Sequence, residues 1–415
     1  MIYTRKDLLL KMIDKEFEKA TRKYLEELFY GNNGIITSEK KFLLNTSLPF
    51  IEYLHQKTSS DFLHSTPLMA TWHITSACNF RCNHCYYNET EYSNKNDLTI
   101  TEAEQLANDL AELGIIKVII TGGEPFLRSD FLDILKIFKK NNISVFIQTN
   151  GSVIKDSQIE ILQDIFSPYL DVIQISLDAG TAETFKKVRN TSSFDKIIST
   201  IKKLVEQNIK VSINCTANAL NINEIPDLYR LCQELRVMDF AVSKFRVLNE
   251  SHKSLFVSDR DLMILTSKLL DEKISKDTFL GLNLFSTIDL VNNCEIEKIL
   301  QEDKYSNFIK QVPQEENCSC NRHDRIDIQP NGDIYMCMES LTQNSLLGNY
   351  RKNTLAEIWE NKLNNPLFNQ RLCKNLKCHS CKYVNICHGG CVGRAFAKYN
   401  DINMPDSDCK FFFKD

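Results

Sequence analysis

The sequence predicts an α/β protein: a partial (β/α)6 barrel followed by a small cysteine-rich domain, with a short N-terminal α/β unit in front. Three observations predict it. Strand-period and helix-period segments alternate six times between residues 67 and 250. Nine of the fifteen cysteines fall between Cys318 and Cys409. The first 66 residues carry an apolar pattern of their own.

In that N-terminal unit (1–66), Leu8, Leu9, Met12, Ile13, Phe17, Ala20, Tyr24 and Leu28 follow helical spacing, and YGNNG (30–34) stops the helix. A short strand in GIITSEKKFLL and a short helix near Pro49–His55 follow. From 67 to 250 the expected strands are Leu68–Ile74, Ile116–Thr121, Val145–Gln148, Val172–Ser176, Val211–Cys215 and Phe240–Val247. Helical patterns lie between them, one opening with a capping box at Thr101 and Glu104 and others at about 130–141, 157–166, 193–207 and 224–235. Parallel neighbours need a crossover helix, so this alternation predicts a parallel sheet with its site at the carboxyl ends of the strands. Six units are too few for a full eight-stranded barrel. A connecting segment (251–316) holds a helix from Ser258 to Leu270. The last domain (317–415) holds short strands near Arg325–Gln329 and Ile334–Cys337, a helix at Leu355–Trp359, and the cysteine-rich end.

Composition narrows the function. A net charge of −4 and a pI near 6.1 do not suggest a nucleic-acid or polybasic membrane partner. No apolar run of about 18 residues predicts a transmembrane helix. The start carries acids within its apolar pattern and no small-residue cleavage site, so a signal peptide is not expected. The expected compartment is the reducing cytoplasm, where clustered thiols read as metal ligands before disulfides.

Cys78, Cys82 and Cys85 follow C-x3-C-x2-C directly after the first strand, which puts three thiols on a loop at the predicted active-site face. Buried metal-free thiols and a zinc site are the alternative readings, but zinc takes four ligands and this loop supplies three. An iron–sulfur cluster held by three thiolates leaves one iron free for an outside ligand. Strand two runs into TGGEP (121–125), strand three into QTNG (148–151) and strand four into SLDAG (176–180).

These residues resemble the signature of radical S-adenosylmethionine (SAM) enzymes. The resemblance implies that Cys78, Cys82 and Cys85 hold a 4Fe–4S cluster whose fourth iron is chelated by SAM. It implies SAM contacts at Gly122, Gly123 and Glu124, at His84 near the adenine, and at Asn150, Ser176 and Arg189. An arginine suits a carboxylate through bidentate bonding, with an ordinary helix-surface role as the alternative for Arg189. SLDAG departs from the SLDGP of many relatives. Asp178, inside it, reads equally as a pocket residue or a turn residue. The implied reaction is reductive cleavage of SAM to a 5′-deoxyadenosyl radical that takes a hydrogen from the substrate, with an external one-electron donor such as flavodoxin or ferredoxin.

The end of the chain reads Cys320-x11-Gly332-x4-Cys337, then Cys378-x2-Cys381-x5-Cys387-x3-Cys391-x17-Cys409. A zinc ribbon is the alternative, but the order looks like the SPASM extension of radical SAM enzymes. That resemblance implies two auxiliary 4Fe–4S clusters: Cys320, Cys337 and Cys391 on the first, and Cys378, Cys381, Cys387 and Cys409 on the second. Cys318 is a further ligand candidate that would complete the first, which otherwise has an open iron; Cys373 is another candidate, read more readily as a spare thiol. Gly332, in QPNGDIY, fits a tight bend. Cys215, Cys232 and Cys294 read as core or incidental thiols. SPASM enzymes most often act on peptides or proteins, so the first expectation is maturation of a ribosomally made peptide. Modification of a protein residue or of a small molecule is the second, and a metal-binding scaffold or regulator without turnover is the third.

Overall fold

A computed structural model of the 415-residue chain describes residues 67, 69–85, 93–168, 170–246, 250–272, 278–284, 325–368 and 371–413, and the backbone of 35–37. The N-terminal helices expected at 8–28 and near 49–55, and Cys294, Cys318 and Cys320, lie outside the described residues. Strands are β1 (Ile35–Thr37), β2 (Met69–His73), β3 (Lys117–Thr121), β4 (Ser144–Thr149), β5 (Val172–Ser176), β6 (Val211–Ala217), β7 (Asp239–Lys244), β8 (Phe279–Asn283), β9 (Arg325–Ile328), β10 (Asp333–Tyr335) and β11 (Gly348–Asn349). Helices are α1 (Ile100–Leu113), α2 (Phe131–Lys140), α3 (Asp156–Ile165), α4 (Ala182–Arg189), α5 (Phe194–Glu206), α6 (Ile225–Glu234), α7 (Asp259–Asp271), α8 (Leu355–Glu360), α9 (Val384–Cys387) and α10 (Val392–Tyr399).

One sheet runs β1-β8-β7-β6-β5-β4-β3-β2-β9-β10-β11. From β1 to β9 every neighbouring pair is parallel, and only β10 and β11 turn antiparallel. The six expected strands are β2 to β7, each neighbour reached through a helix, which gives the partial barrel. The sheet also extends beyond them. The connecting segment contributes β8 against β7, and β1 from the N-terminal unit pairs with β8. On the other side β9 joins β2, with Thr71 opposite Asp327.

Alternation divides each strand between two environments. Ala70, Trp72, Val118, Ile120, Val145, Ile147, Ile173 and Ile175 pack under the helices in the main core, where Trp72 meets Phe138 of α2 at 5.9 Å. Ile119, Phe146 and Val172 form a separate small cluster on the opposite, inner face. That inner face is otherwise polar: Gln148 donates to Gln174 at 3.0 Å, and Ser212 to Asp239 at 2.8 Å. Both faces being covered explains the near-continuous apolar strand sequences.

The capping box lies two residues earlier than expected. Because α1 starts at Ile100, Thr99 is the cap: its hydroxyl accepts from Glu102 N at 3.3 Å, and Glu102 accepts from Thr99 N at 2.7 Å. Thr101 is already inside the first turn. Among the described residues no helix is long and apolar enough to cross a membrane.

Candidate active site

The Cys78–Cys85 loop leaves β2 at the carboxyl edge of the sheet, and three neighbours fasten it. Asn83 donates through its backbone to Val188 O at 3.1 Å and through its side chain to Lys187 O at 2.7 Å, tying the loop to the end of α4. Asn79 donates to Ser152 at 2.9 Å and accepts from Asn150 at 2.9 Å, tying it to the loop after β4. Gly123 N donates to Thr75 O at 2.7 Å and Glu124 N to Ala77 O at 2.8 Å, tying it to the loop after β3.

That third tie explains the two glycines. A Cβ on Gly122 would run into the Thr75 carbonyl oxygen, and one on Gly123 into that of Ala77. The glycines admit the backbone of the cysteine loop, a closer neighbour than the ligand the sequence suggested. Glu124 is wholly buried, and its carboxylate faces the protein. It accepts from Phe126 N at 3.1 Å, Thr149 Oγ1 at 2.7 Å and Asn150 N at 2.7 Å. Burial pushes its pKa up to about 7 against these three donors. Its side chain thus locks the loops after β3 and β4 together, and its backbone N–H ties both to the cysteine loop.

Cys82 is buried while Cys78 and Cys85 are partly exposed. The three thiols feel one another electrostatically, and burial raises Cys78 to about 11 and Cys82 above its usual value. Ligation needs thiolates, so loading this loop must release protons. Arg189, at the end of α4, aims Nη1 at Cys82 Sγ, 3.6 Å away, and pairs with the Asp178 carboxylate. Asp178 is completely buried and also accepts from Thr216 N at 2.7 Å, while its backbone carbonyl accepts from Asn221 at 2.8 Å. His84 Nε2 stands 3.5 Å from the same carboxylate, and burial draws its pKa down to about 4. Phe245 meets His84 edge-on at 6.5 Å and His252 at 5.6 Å. Arg189 is therefore no surface residue, and Asp178 is the hub facing a guanidinium and an imidazole, with the Cys82 thiol on the far side of Arg189. Ser176 closes β5 in register with Asn214, beside the inner polar face. His73, on the last position of β2, lies 3.3 Å from Asp327 of β9.

The sequence named every thiol of this loop but not its fasteners. Asn79 carries a local signal, since it sits inside the cysteine motif. Phe245 and His252 carry none, because only the fold brings them to His84.

At the far end, Cys381 packs with Cys387 and Cys409 and also with Cys378, and Cys378 feels both Cys409 and Cys381. These four thiols lie near one another. Cys373 joins the Cys378 and Cys381 group and contacts His388 Nδ1 at 3.3 Å. Cys337 and Cys391 each cap a helix start, accepting at sulfur from Glu339 N at 3.4 Å and Arg394 N at 3.5 Å. Glu339 and Arg394 bring those two starts together, and Asp406 holds Cys391 N at 2.7 Å. Gly332 takes φ +85°, a left-handed turn that only glycine adopts freely. Among the described residues no three His, Cys, Asp or Glu side chains close around a single ion. The donor chemistry, three thiols on one loop and four thiols at the far end, suits iron–sulfur ligation.

Comparisons with known proteins agree with this geometry. Residues 72–232 match the Radical SAM superfamily, and residues 318–382 match the SPASM iron–sulfur cluster-binding domain. Fe-coproporphyrin III synthase of Methanosarcina barkeri is 26% identical over 365 residues, covering 82% of this chain and 87% of that protein. Mycofactocin maturase MftC of Mycobacterium tuberculosis is 26% identical over 361 residues, covering 83% of each. The crystal structure of Streptococcus suis SuiB bound to SAM shares the fold with a TM-score of 0.66, at 23% identity over 99% of this chain and 93% of that one. A radical SAM domain implies SAM and a 4Fe–4S cluster, and a SPASM domain implies auxiliary iron–sulfur clusters. The chain is thus an enzyme that carries a radical SAM domain at residues 72–232 and, after it, a SPASM iron–sulfur cluster-binding domain at 318–382.

Proposed function

We propose that this enzyme matures a ribosomally made peptide by forming a crosslink, a thioether or a related bond. The observation that carries the reading is extent. The likeness to SuiB covers 99% of this chain, whereas the curated relatives cover 82% and 83%. SuiB has been crystallised with its precursor peptide SuiA, and MftC is named a maturase.

In this reading Cys78, Cys82 and Cys85 hold the cluster that binds SAM, and residues around Gly122, Gly123, Glu124, Asn150, Ser176, His84 and Arg189 form the SAM pocket. Bound together, cluster and SAM supply a hydrogen-abstracting 5′-deoxyadenosyl radical, and the protein's part is positioning and shielding. Glu124 keeps the three strand-end loops at fixed spacing. Asp178 holds Arg189 beside Cys82. The inner-face amides and hydroxyls, Gln148, Gln174, Asn214 and Ser243, offer polar contacts to a substrate entering at the strand ends. Cys378, Cys381, Cys387 and Cys409 hold one auxiliary cluster; Cys320, Cys337 and Cys391, joined by Cys318, hold the other. The electron comes from an external flavodoxin or ferredoxin in a reducing cytoplasm.

The test is mass spectrometry of a short peptide encoded beside the gene, incubated anaerobically with reconstituted protein, SAM and a strong reductant. Loss of two hydrogens per event is the expected result. An unmodified peptide alongside continued deoxyadenosine formation refutes that peptide as substrate. The Methanosarcina relative supports a second reading, a small-molecule substrate of the tetrapyrrole class; formation of an iron porphyrin when the same assay is supplied with a tetrapyrrole precursor would favour it.

A further inference from the structure

The last residues of the chain close over the four-thiol group with aromatic rings. Tyr383 and Phe413 pack against Cys387, Cys409 and Cys381. Phe411 lies on Tyr383 at 5.0 Å, Tyr399 stacks on Phe413 at 5.3 Å, and Phe412 meets Phe413 at 5.0 Å. This layer is not sealed from solvent: Phe411 is 37% and Phe412 38% exposed.

Lysines rim the rings. Lys382 Nζ sits 4.4 Å over Tyr383 and Lys398 Nζ 5.5 Å over Tyr399. Lys382 directly follows Cys381, and the exposed Lys410 directly follows Cys409, so two lysines mark two of the thiols. Residues 371–413 hold seven lysines and arginines against three aspartates, in a chain whose net charge is −4. Of those aspartates, Asp406 is buried against Arg394, Asp401 pairs with Lys377 at 3.0 Å and the exposed Asp408 lies 3.7 Å from Arg394, so with every aspartate counted the segment keeps an excess of four positive charges, seven less three. The face is therefore basic where the molecule as a whole is acidic.

We propose that this lysine-rimmed aromatic face is the docking surface for an acidic one-electron carrier protein. The proposal rests on Cys378, Cys381, Cys387 and Cys409 being cluster ligands. The reduced carrier gives one electron to the cluster beneath the rings and leaves oxidised by one electron; no proton moves and no bond forms. Opposite charge steers such an encounter and a small apolar centre registers it, which suits the limited contact area of transient redox complexes. A second copy of the chain is disfavoured, because a two-fold contact would set the same lysines against one another.

The test uses the full-length reconstituted enzyme with reduced flavodoxin or, separately, dithionite as the electron source. Charge reversal at Lys382→Glu, Lys398→Glu and Lys410→Glu together is expected to raise the flavodoxin concentration for half-maximal deoxyadenosine formation about tenfold or more at low salt. Dithionite-driven turnover should be unchanged, and the wild-type salt dependence should flatten. Lys398→Glu alone, on α10 and away from the ligands in sequence, should show a smaller shift of the same kind. Lys202→Glu on α5 should show none. Equal loss with both reductants in the triple variant and in Lys398→Glu, or no change with either, overturns the proposal. The ligand reading is tested separately by iron content in Cys381→Ala: unchanged iron defeats that reading, while a lowered content with no flavodoxin effect of the lysines defeats only the docking surface.

Discussion

Replacing Asp178 with Asn isolates the hub beside the Cys78–Cys85 loop. The substitution keeps side-chain size and leaves an oxygen for Thr216 N, but it removes the charge that faces Arg189. Side-chain exposure of the pair is 0% for Asp178 and 10% for Arg189, so the stranded guanidinium has little water to turn to. Breaking a buried pair from one side costs about 3–5 kcal/mol. The remaining contact of that guanidinium, Cys82 Sγ at 3.6 Å, offers little relief in the cluster-free protein, where burial keeps the thiol protonated. The expected loss is therefore about 3 kcal/mol or more in anaerobic urea unfolding of the cluster-free protein. Arg189→Met in the same background should recover most of it, giving a coupling energy of about 2 kcal/mol or more in a double-mutant cycle. A cost below about 1 kcal/mol, or strict additivity of the two changes, would refute the hub.

Three further outcomes are expected. Gly123→Ala pushes a methyl into the Ala77 carbonyl and should displace the cysteine loop; iron bound at the three-cysteine site should fall sharply while auxiliary-cluster absorbance persists. Lys117 is drawn down to about 7 by burial, so the unfolded chain binds more protons between that value and about 10.5, and stability rises with pH across the window. Lys117→Met should flatten that rise in melting temperature measured against wild type under reductant. Arg351 donates to Glu102 at 2.6 Å and holds its carboxyl at about 2, so this bond stabilises above the ordinary carboxyl range and is lost as pH falls through 2. Because both side chains are about a third exposed, Arg351→Ala should cost no more than about 1 kcal/mol at neutral pH, and the variant should lose less stability than wild type on acidification.

Much of this architecture was legible because period and spacing are local signals. The six central strands follow from apolar runs, and the thiol groups from cysteine spacing. What escaped depends on partners distant in sequence. β8 reads FLGLN, and its glycine weakens a strand pattern that pairing with β7 rescues. Arg189 looks like one more charge on a polar helix; only the return of β5 and the Cys82 loop to the same edge makes it buried. Gly122 and Gly123 stand out in the sequence as places of close approach, but the backbone they accommodate belongs to a segment more than forty residues earlier. The capping box shifted because Thr99 and Thr101 both precede a glutamate by three, and the helix start alone decides between them.

The pairing of β9 with β2 has a mechanical consequence. The first described element of the SPASM region is a strand, β9, hydrogen-bonded to the strand that leads into the Cys78–Cys85 loop. Cys78 lies five residues beyond His73, and Cys337 nine beyond Ile328, so one continuous ladder is the ruler between the two redox regions. Arg325 on Thr71 at 3.0 Å, Tyr350 on Asp109 at 2.7 Å, and the His73–Asp327 pair pin that ruler at both ends. Where domains joined by a linker move by default, here a change in inter-cluster distance would require breaking sheet hydrogen bonds. The spacing between the Cys78–Cys85 loop and the Cys337 turn is thus set by backbone pairing, with the span itself held constant.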